Sequence, residues 1–562
     1  MISKENLNMM YMGKNYSVIA NKNTFEINDT NPSETFFEFG VSTIINCEKD
    51  NITTFEQKGN SFVWTASDGV FEKTYTLECC DAYALYKVKI KGRGTLRLVK
   101  YLDNTMFNVS GYFSPVVTGG GDIATYKDMT QSQKAANGFF APPPQCYVFD
   151  MEGNENLIAV GLIAKDKEYN YSGFSYIPDG KMCAFGADFG NYTKIDGEFE
   201  LPHILIQLGK DRYSLLESNA KFHVEKGYVK QQKHVREKWW NGNILCGWGD
   251  QWVIGTEISG SQKTEWDDEA VKENADKIKS MSTFDYAIGA ATCENYEKII
   301  SDAENKDISF STIIIDCKWH KEFGTMEVDK EKWSDMRGFI DSQHQKGRKV
   351  LLWYNFWSVE GLPKDECITC GEEALYVDPT NPKYMARLEK IMEYLLSDKD
   401  GCCNADGFKV DFVAVPHEEN LEIYEKGVFG IELVKRNMSL AYNLAKKVKK
   451  SALITSQHVH PYFDECMDMM RIGDYWCASN RPLSNINTRT GILKSTLPNV
   501  LIDMDAAGGG KKRDALLYYR RGAQVGTLSL YGTRLYDVCF NDDDWKEVAE
   551  IFRKNQEKSG LL

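Results

Sequence analysis

Over roughly the first 210 residues apolar and polar positions alternate with period two. Tyr86, Val88 and Ile90 alternate with Lys87, Lys89 and Lys91, and Ile204, Ile206 and Leu208 repeat the pattern after Pro202. Turn signals at 67–69 (Ser-Asp-Gly) and 119–121 (three glycines) interrupt it, and no long amphipathic helix is visible. This predicts a large antiparallel β-sandwich over residues 1–212. Residues 213–242 read as a helical connector. Ser214 is expected to cap a helix through Leu215 and Leu216, and a polar, basic tract ends at Trp239-Trp240. Paired tryptophans at a junction are expected as interface core.

From residue 243 the texture changes to short apolar runs separated by helical periods. The runs are 243–252, 311–319, 349–357, 405–413, 452–460, 469–476, 498–505 and 526–531. Between them Ile431, Val434, Met438, Ala441, Ala445 and Val448 follow three-four spacing. Eight such units predict a (β/α)8 TIM barrel over 243–562, and so a multidomain β plus α/β chain. A doubly wound open sheet is disfavoured because no Gly-rich dinucleotide turn follows a strand.

In a (β/α)8 barrel the working residues stand at the C-terminal strand ends. Run four reads Phe408-Lys409-Val410-Asp411-Phe412, with a cation and a carboxylate two residues apart on one side of a buried strand. Other run ends offer Trp248 and Asp250, Asp316 and Trp319, Trp353, His458, Arg471 and Asp474, and Asp503 with Asp505. One strand-end carboxylate is ordinarily a cap for the next helix. Acids or aromatics at seven ends describe an acidic bowl with aromatic walls. Two carboxylates flanking a cleft are what glycoside hydrolysis requires, and Asp411 with Asp474 is the best pair. Lys409 is expected to keep Asp411 ionised, as a nucleophile needs. Apolar Tyr475 and Trp476 are expected to raise Asp474, as an acid needs. Arg471 is expected to point at substrate or at Asp411. Trp248, Asp250, Asp316, Trp319, Trp353, Lys409, His458 and Arg471 are the expected substrate contacts.

Composition narrows the partners. A net charge of −14 over 562 residues argues against nucleic acid or an anionic membrane, and no apolar run is long enough to span one. Aromatic residues reach 12%, which suits a sugar cleft as well as a large core. The first six residues lack an apolar core, and the 15 cysteines form no paired C-x-x-C motif. Both observations lead to the expectation of a cytoplasmic protein with reduced thiols. No cofactor or metal is expected: His458-Val459-His460 with Asp464 lacks a third ligand at suitable spacing. The glycines and cations of 508–513 are read as a solvated loop ahead of an anion site.

Taken together, Lys409-Val410-Asp411 resembles the K-x-D nucleophile motif of the retaining α-galactosidase clan, which groups melibiase-type α-galactosidases with α-glucosidase-like enzymes. Arg471-Ile472-Gly473-Asp474 is similar to the strand-six acid/base segment of those barrels. Gly247-Trp248, Asp316 with Trp319, and Trp353 resemble their elements on strands one to three. Asp316-Cys317-Lys318-Trp319 departs from the usual Asp-Asp-Gly-Trp, and Gln457-His458-Val459-His460 departs from the usual strand-five segment. The resemblance implies a retaining α-glycosidase, an α-galactosidase first, acting on an oligosaccharide or glycoside. An α-glucosidase-like hydrolase, a raffinose-synthase-like transglycosidase and a non-catalytic carbohydrate-binding protein remain as alternatives. A homo-oligomer is left open.

Overall fold

The computed structural model describes residues 8–29, 35–107, 109–115, 125–126, 142–151, 156–231, 236–258, 281–472, 482–505, 512–537 and 540–561. The N-terminal part is one large antiparallel sheet of 16 strands, from Met9–Met12 to His203–Gly209. Its spine is the long strand Tyr83–Phe107, which pairs with Phe71–Cys80 and with Met182–Glu200. The predicted alternation holds: Tyr86, Val88 and Ile90 are buried while Lys89 and Lys91 are exposed. Leu85 and Leu205, on the opposite face, are also buried. They join Ile163 and Phe222 in a small second core under the helix Arg212–Glu225. That helix is capped by Asp211, whose carboxylate accepts from the Ser214 amide at 2.7 Å, and not by Ser214 as the sequence suggested. Asp accepts from an amide three residues on as well as Ser does, and the cap falls one helical turn earlier.

The short 3-10 turn Lys238–Asn241 leads into the second part. Trp240 is buried there and donates its indole N–H to the Ser451 carbonyl, so this ring is packing, as expected. Eight parallel strands follow: Ile244–Cys246, Thr312–Ile315, Lys349–Asn355, Gly407–Asp411, Leu453–Ser456, Met469–Arg471, Leu501–Asp503 and Ser529–Leu530. The first pairs with both the second and the eighth. A parallel bridge from Asp503 to Thr527 brings the seventh against the segment entering the eighth, so the barrel is nearly closed. The intervening helix Ile431–Val448 buries Val434, Met438, Ala441 and Ala445, the face that the spacing marked.

Several strands are shorter than the apolar runs. The first stops at Cys246, and a helix Trp248–Ile258 begins two residues later. Gly247 permits the turn: a Cβ there would lie 2.2 Å from the Tyr296 hydroxyl oxygen. A small sheet of Cys367–Cys370, Glu373–Val377 and Leu421–Glu422 ties the loop after strand three to the loop after strand four. The large sheet docks on the same side. Tyr192 stacks on Phe429 with ring centroids 4.2 Å apart, and its hydroxyl donates to the Glu418 carbonyl. Tyr169 stacks on Tyr462 at 4.0 Å. No disulfide joins the described cysteines, and no described helix is long and apolar enough to cross a membrane.

Candidate active site

Strand four begins at Gly407, with φ +142°, where a Cβ would come within 2.0 Å of the Leu453 carbonyl oxygen on strand five. Only glycine lets the two strands approach so closely. Phe408 and Val410 then turn outward into packing, and Lys409 and Asp411 turn inward. Asp411 accepts three hydrogen bonds: from the Trp353 indole N–H at 3.0 Å, from an Arg471 guanidinium N–H at 2.9 Å, and from the Phe412 amide at 3.1 Å. Phe412 takes φ +55°, left-handed for a bulky residue, which turns the chain sharply away from the carboxylate. Burial alone would push Asp411 up. The Arg471 charge, then the Lys409 charge and the Trp353 bond, outweigh it and hold the carboxyl below the usual carboxylate range. Its side chain is 14% exposed, so the ionised group still reaches the surface of the bowl.

Lys409 does not bond Asp411. Its ammonium donates to Asp316 Oδ2 at 2.6 Å and lies 5.0 Å from the Tyr531 ring centre. Burial would lower it, but the Asp316 carboxylate raises it further, so it stays charged. Asp316 also accepts from the Cys246 thiol at 3.1 Å and from the Cys317 amide at 2.8 Å. Arg471 N–H lies 3.9 Å from Asp505, which receives the Tyr531 hydroxyl. Burial, then the Asp505 charge, pushes Asp503 up to about 6. The ring Asp316–Lys409, Tyr531–Asp505, Arg471–Asp411 thus sets three carboxylates against two cations. That surplus of negative charge suits a reaction that develops positive charge at a sugar carbon.

The structure gathers Asp411, Arg471, Trp353, Lys409 and Asp316, with Trp353 bonded to Asp411 and Lys409 to Asp316. Asp250, Trp319 and His458, also expected as contacts, are engaged with other partners. Both oxygens of Asp250 are occupied at 3.2 Å by the Thr533 and Leu535 amides. The residue therefore caps the short helix Arg534–Asp537, and does not face the bowl as expected. Burial pushes it up to about 7 despite those bonds. Trp319 is completely buried and donates to the Trp353 carbonyl at 2.9 Å, so it supports the neighbouring strand and offers no face to a ligand. Trp248 is half-buried in the first turn of a helix, with Trp252 at 5.9 Å. His458 is buried against Phe463, with its Nδ1 2.9 Å from the Ser456 hydroxyl oxygen. Burial, then the Lys435 charge, pushes it down to about 3, so it is neutral. His460 caps the next turn through the Tyr462 amide, and no group of three metal-donor side chains converges among the described residues. Asp474, with Tyr475 and Trp476, lies outside the described residues, as do residues 508–511.

Sequence reasoning missed Tyr296, whose hydroxyl accepts from the Asp316 amide at 2.6 Å and donates to Gln251 at 2.8 Å. It sits near the start of the helix Cys293–Asn305, in the buried stripe with Ile299, Ile300 and Ala303, and nothing in its spacing sets it apart from core. Tyr531 was seen only as the end of the eighth run. Its pairing with Asp505 depends on closure of the barrel.

With this geometry in hand, the likenesses to known proteins take on meaning. Residues 280–429, which contain strands two to four with Asp316, Trp353, Lys409 and Asp411, match the Glycosyl hydrolases family 31 TIM-barrel domain. A relative, the alpha-xylosidase XylQ of Lactiplantibacillus pentosus, is 24% identical over 319 residues, which is 48% of this chain. The matched region covers only 38% of that relative. Among solved structures, a family 31 sulfoquinovosidase from E. rectale superposes with TM-score 0.55 and 12% identity, over 98% of this chain and 78% of the other. The α-galactosidase TtGalA from Thermus thermophilus gives 0.53 and 13%, over 89% and 99%. At these identities the structural likeness is one of fold. Residues 280–429 are thus similar to the family 31 TIM-barrel domain, and the fold around them is similar to that of these two solved structures.

Proposed function

We propose that this chain is a retaining α-glycoside hydrolase with Asp411 as nucleophile and Asp474 as general acid/base. The observation that carries the reading is the set of donors on Asp411. A strand-end carboxylate held ionised by Arg471 and Trp353, and left partly exposed, is prepared to attack a carbon. An Asp411 oxygen would bond to the anomeric carbon as the bond to the leaving oxygen breaks, with that oxygen taking the Asp474 proton. Water would then attack the glycosyl ester, return a proton to Asp474 and release the sugar with its α configuration retained. Arg471 and Lys409 hold the carboxylates in place, and the net negative ring favours the cationic transition state.

The sequence expectation put galactose first. The α-galactosidase likeness is one of fold, whereas the sequence match is to a family 31 domain and to an α-xylosidase. We therefore place α-xylosides and α-glucosides ahead of α-galactosides. A panel of p-nitrophenyl α- and β-glycosides, followed by proton NMR, tests the reading. Release of the α anomer first, from an α-glycoside only, is expected. First release of the β anomer, or no turnover of any member, contradicts it.

A further inference from the structure

On the outside of the barrel the loop after strand two and the helix Pro382–Leu396 line an open cleft of about 670 Å³. None of Asp316, Asp411 or Asp505 lines it. Met326 and Ile391 form an apolar floor beside the half-buried ring of Tyr394. Met326 takes φ +49°, a left-handed turn within the loop. The cations nearest the helix start are committed. Arg387 makes a two-pronged pair with the buried Glu366 at 2.5 and 2.7 Å, and Lys383 pairs with Asp365. Two exposed charged groups, Glu327 and Lys390, have no ion-pair partner among the described residues. Glu327 lies close enough to Tyr394 to bear on its phenol.

We propose that this cleft is a second carbohydrate-binding site, taking a neutral α-linked oligosaccharide of about two to three sugars, a size that suits its volume. The lining offers an acceptor in Glu327, a donor in Lys390, and a phenol over an apolar floor for the C–H face of a ring. With Arg387 and Lys383 neutralised by their partners, little surplus charge is left to select an anion. The choice of sugar rests on the glycosidase reading, whereas the existence of the site does not.

The test uses the full chain carrying Asp411→Asn, so that the sugar survives, titrated calorimetrically with maltotetraose and with stachyose. More than one sugar bound per chain is expected for at least one of them, falling by one when Lys390→Ala or Tyr394→Ala is added. In the wild-type background Lys390→Ala, at an exposed position, should leave kcat/KM on an aryl glycoside within twofold. A stoichiometry unaffected by either substitution overturns the proposal, as does absence of binding. Displacement by inorganic phosphate with steep salt dependence also overturns it, in favour of an anion site. Failure of the glycosidase reading would appear separately, as a wild-type protein that cleaves no aryl glycoside.

Discussion

The indole N–H of Trp353 on the third strand donates to Asp411 Oδ2 at 3.0 Å, so the side chain expected as a substrate contact fixes the carboxylate at the end of strand four. Arg471 holds the other oxygen from strand six. The acid is thereby clamped from two sides of the barrel before any substrate arrives.

With Asp411 as the proposed nucleophile, that clamp should set the acid limb of the pH–rate profile. Both donors favour the ionised form, so removing either raises the Asp411 pKa and moves the acid limb of kcat/KM to higher pH. Arg471→Met should move it further than Trp353→Phe, since the Arg471 charge is the largest influence opposing burial. Trp353→Phe should cost about tenfold or more in kcat/KM, as expected for a hydrogen bond to a charged group worth about 1.5–3 kcal/mol. Unchanged acid limbs in both variants would remove Asp411 from the rate law.

Asp250 carries a stability prediction. Its folded pKa of about 7 lies above the usual carboxylate value, so the native state binds the extra proton between about pH 4 and 7. The contribution of Asp250 to stability is therefore greatest on the acid side and falls as pH rises through that window, with Asp503 acting in the same direction. Asp250→Asn cannot ionise. It should be less stable than wild type near pH 4, with the two denaturation curves converging toward pH 7. A difference that stays constant or grows with pH would refute the assignment.

Gly407→Ala should destabilise by more than about 3 kcal/mol, because it combines a φ that L-residues avoid with a Cβ driven into the Leu453 backbone. Thermal melting reads this directly. A drop in Tm of under a few degrees would show that strands four and five can separate.

Much of this was legible in the chain. The alternation of Phe408, Val410 and Phe412 located strand four and put Lys409 and Asp411 on one side. The three-four spacing located the helix Ile431–Val448, and the period-two pattern located the large sheet. What failed has physical causes. Run 243–252 is short, its apolar residues fall in no clear period of two or of three to four, and two glycines interrupt it, so strand and helix cannot be told apart within it by periodicity. Gly247 was the break, and beyond it Asp250 became a helix cap. Trp319 misled for another reason: an aromatic at a strand end looks the same whether it faces the bowl or supports its neighbour. Partners such as Tyr531 for Asp505, or Asp316 for Lys409, come from strands far apart in sequence and follow only from the barrel's closure.

The acid/base role proposed for Asp474 makes its importance depend on the leaving group. Asp474→Ala should lose several orders of magnitude on a disaccharide and far less on an aryl glycoside in the first step, since a nitrophenolate leaves unprotonated. Added azide should restore turnover of the aryl glycoside and give a glycosyl azide of retained α configuration. Equal losses on both substrates with no azide effect would move the role to Asp503 or Asp505.

The most direct test of a covalent mechanism through Asp411 is to trap the intermediate. Incubation with a 5-fluoro-α-glycosyl fluoride of the preferred sugar slows both steps but leaves a good leaving group, so the glycosyl ester accumulates. Intact-mass spectrometry should show one added fluoroglycosyl unit per chain, and peptide mapping should place it on Asp411, with no adduct in Asp411→Asn. An adduct on another carboxylate, or none from an enzyme that turns over the parent glycoside, would contradict the account.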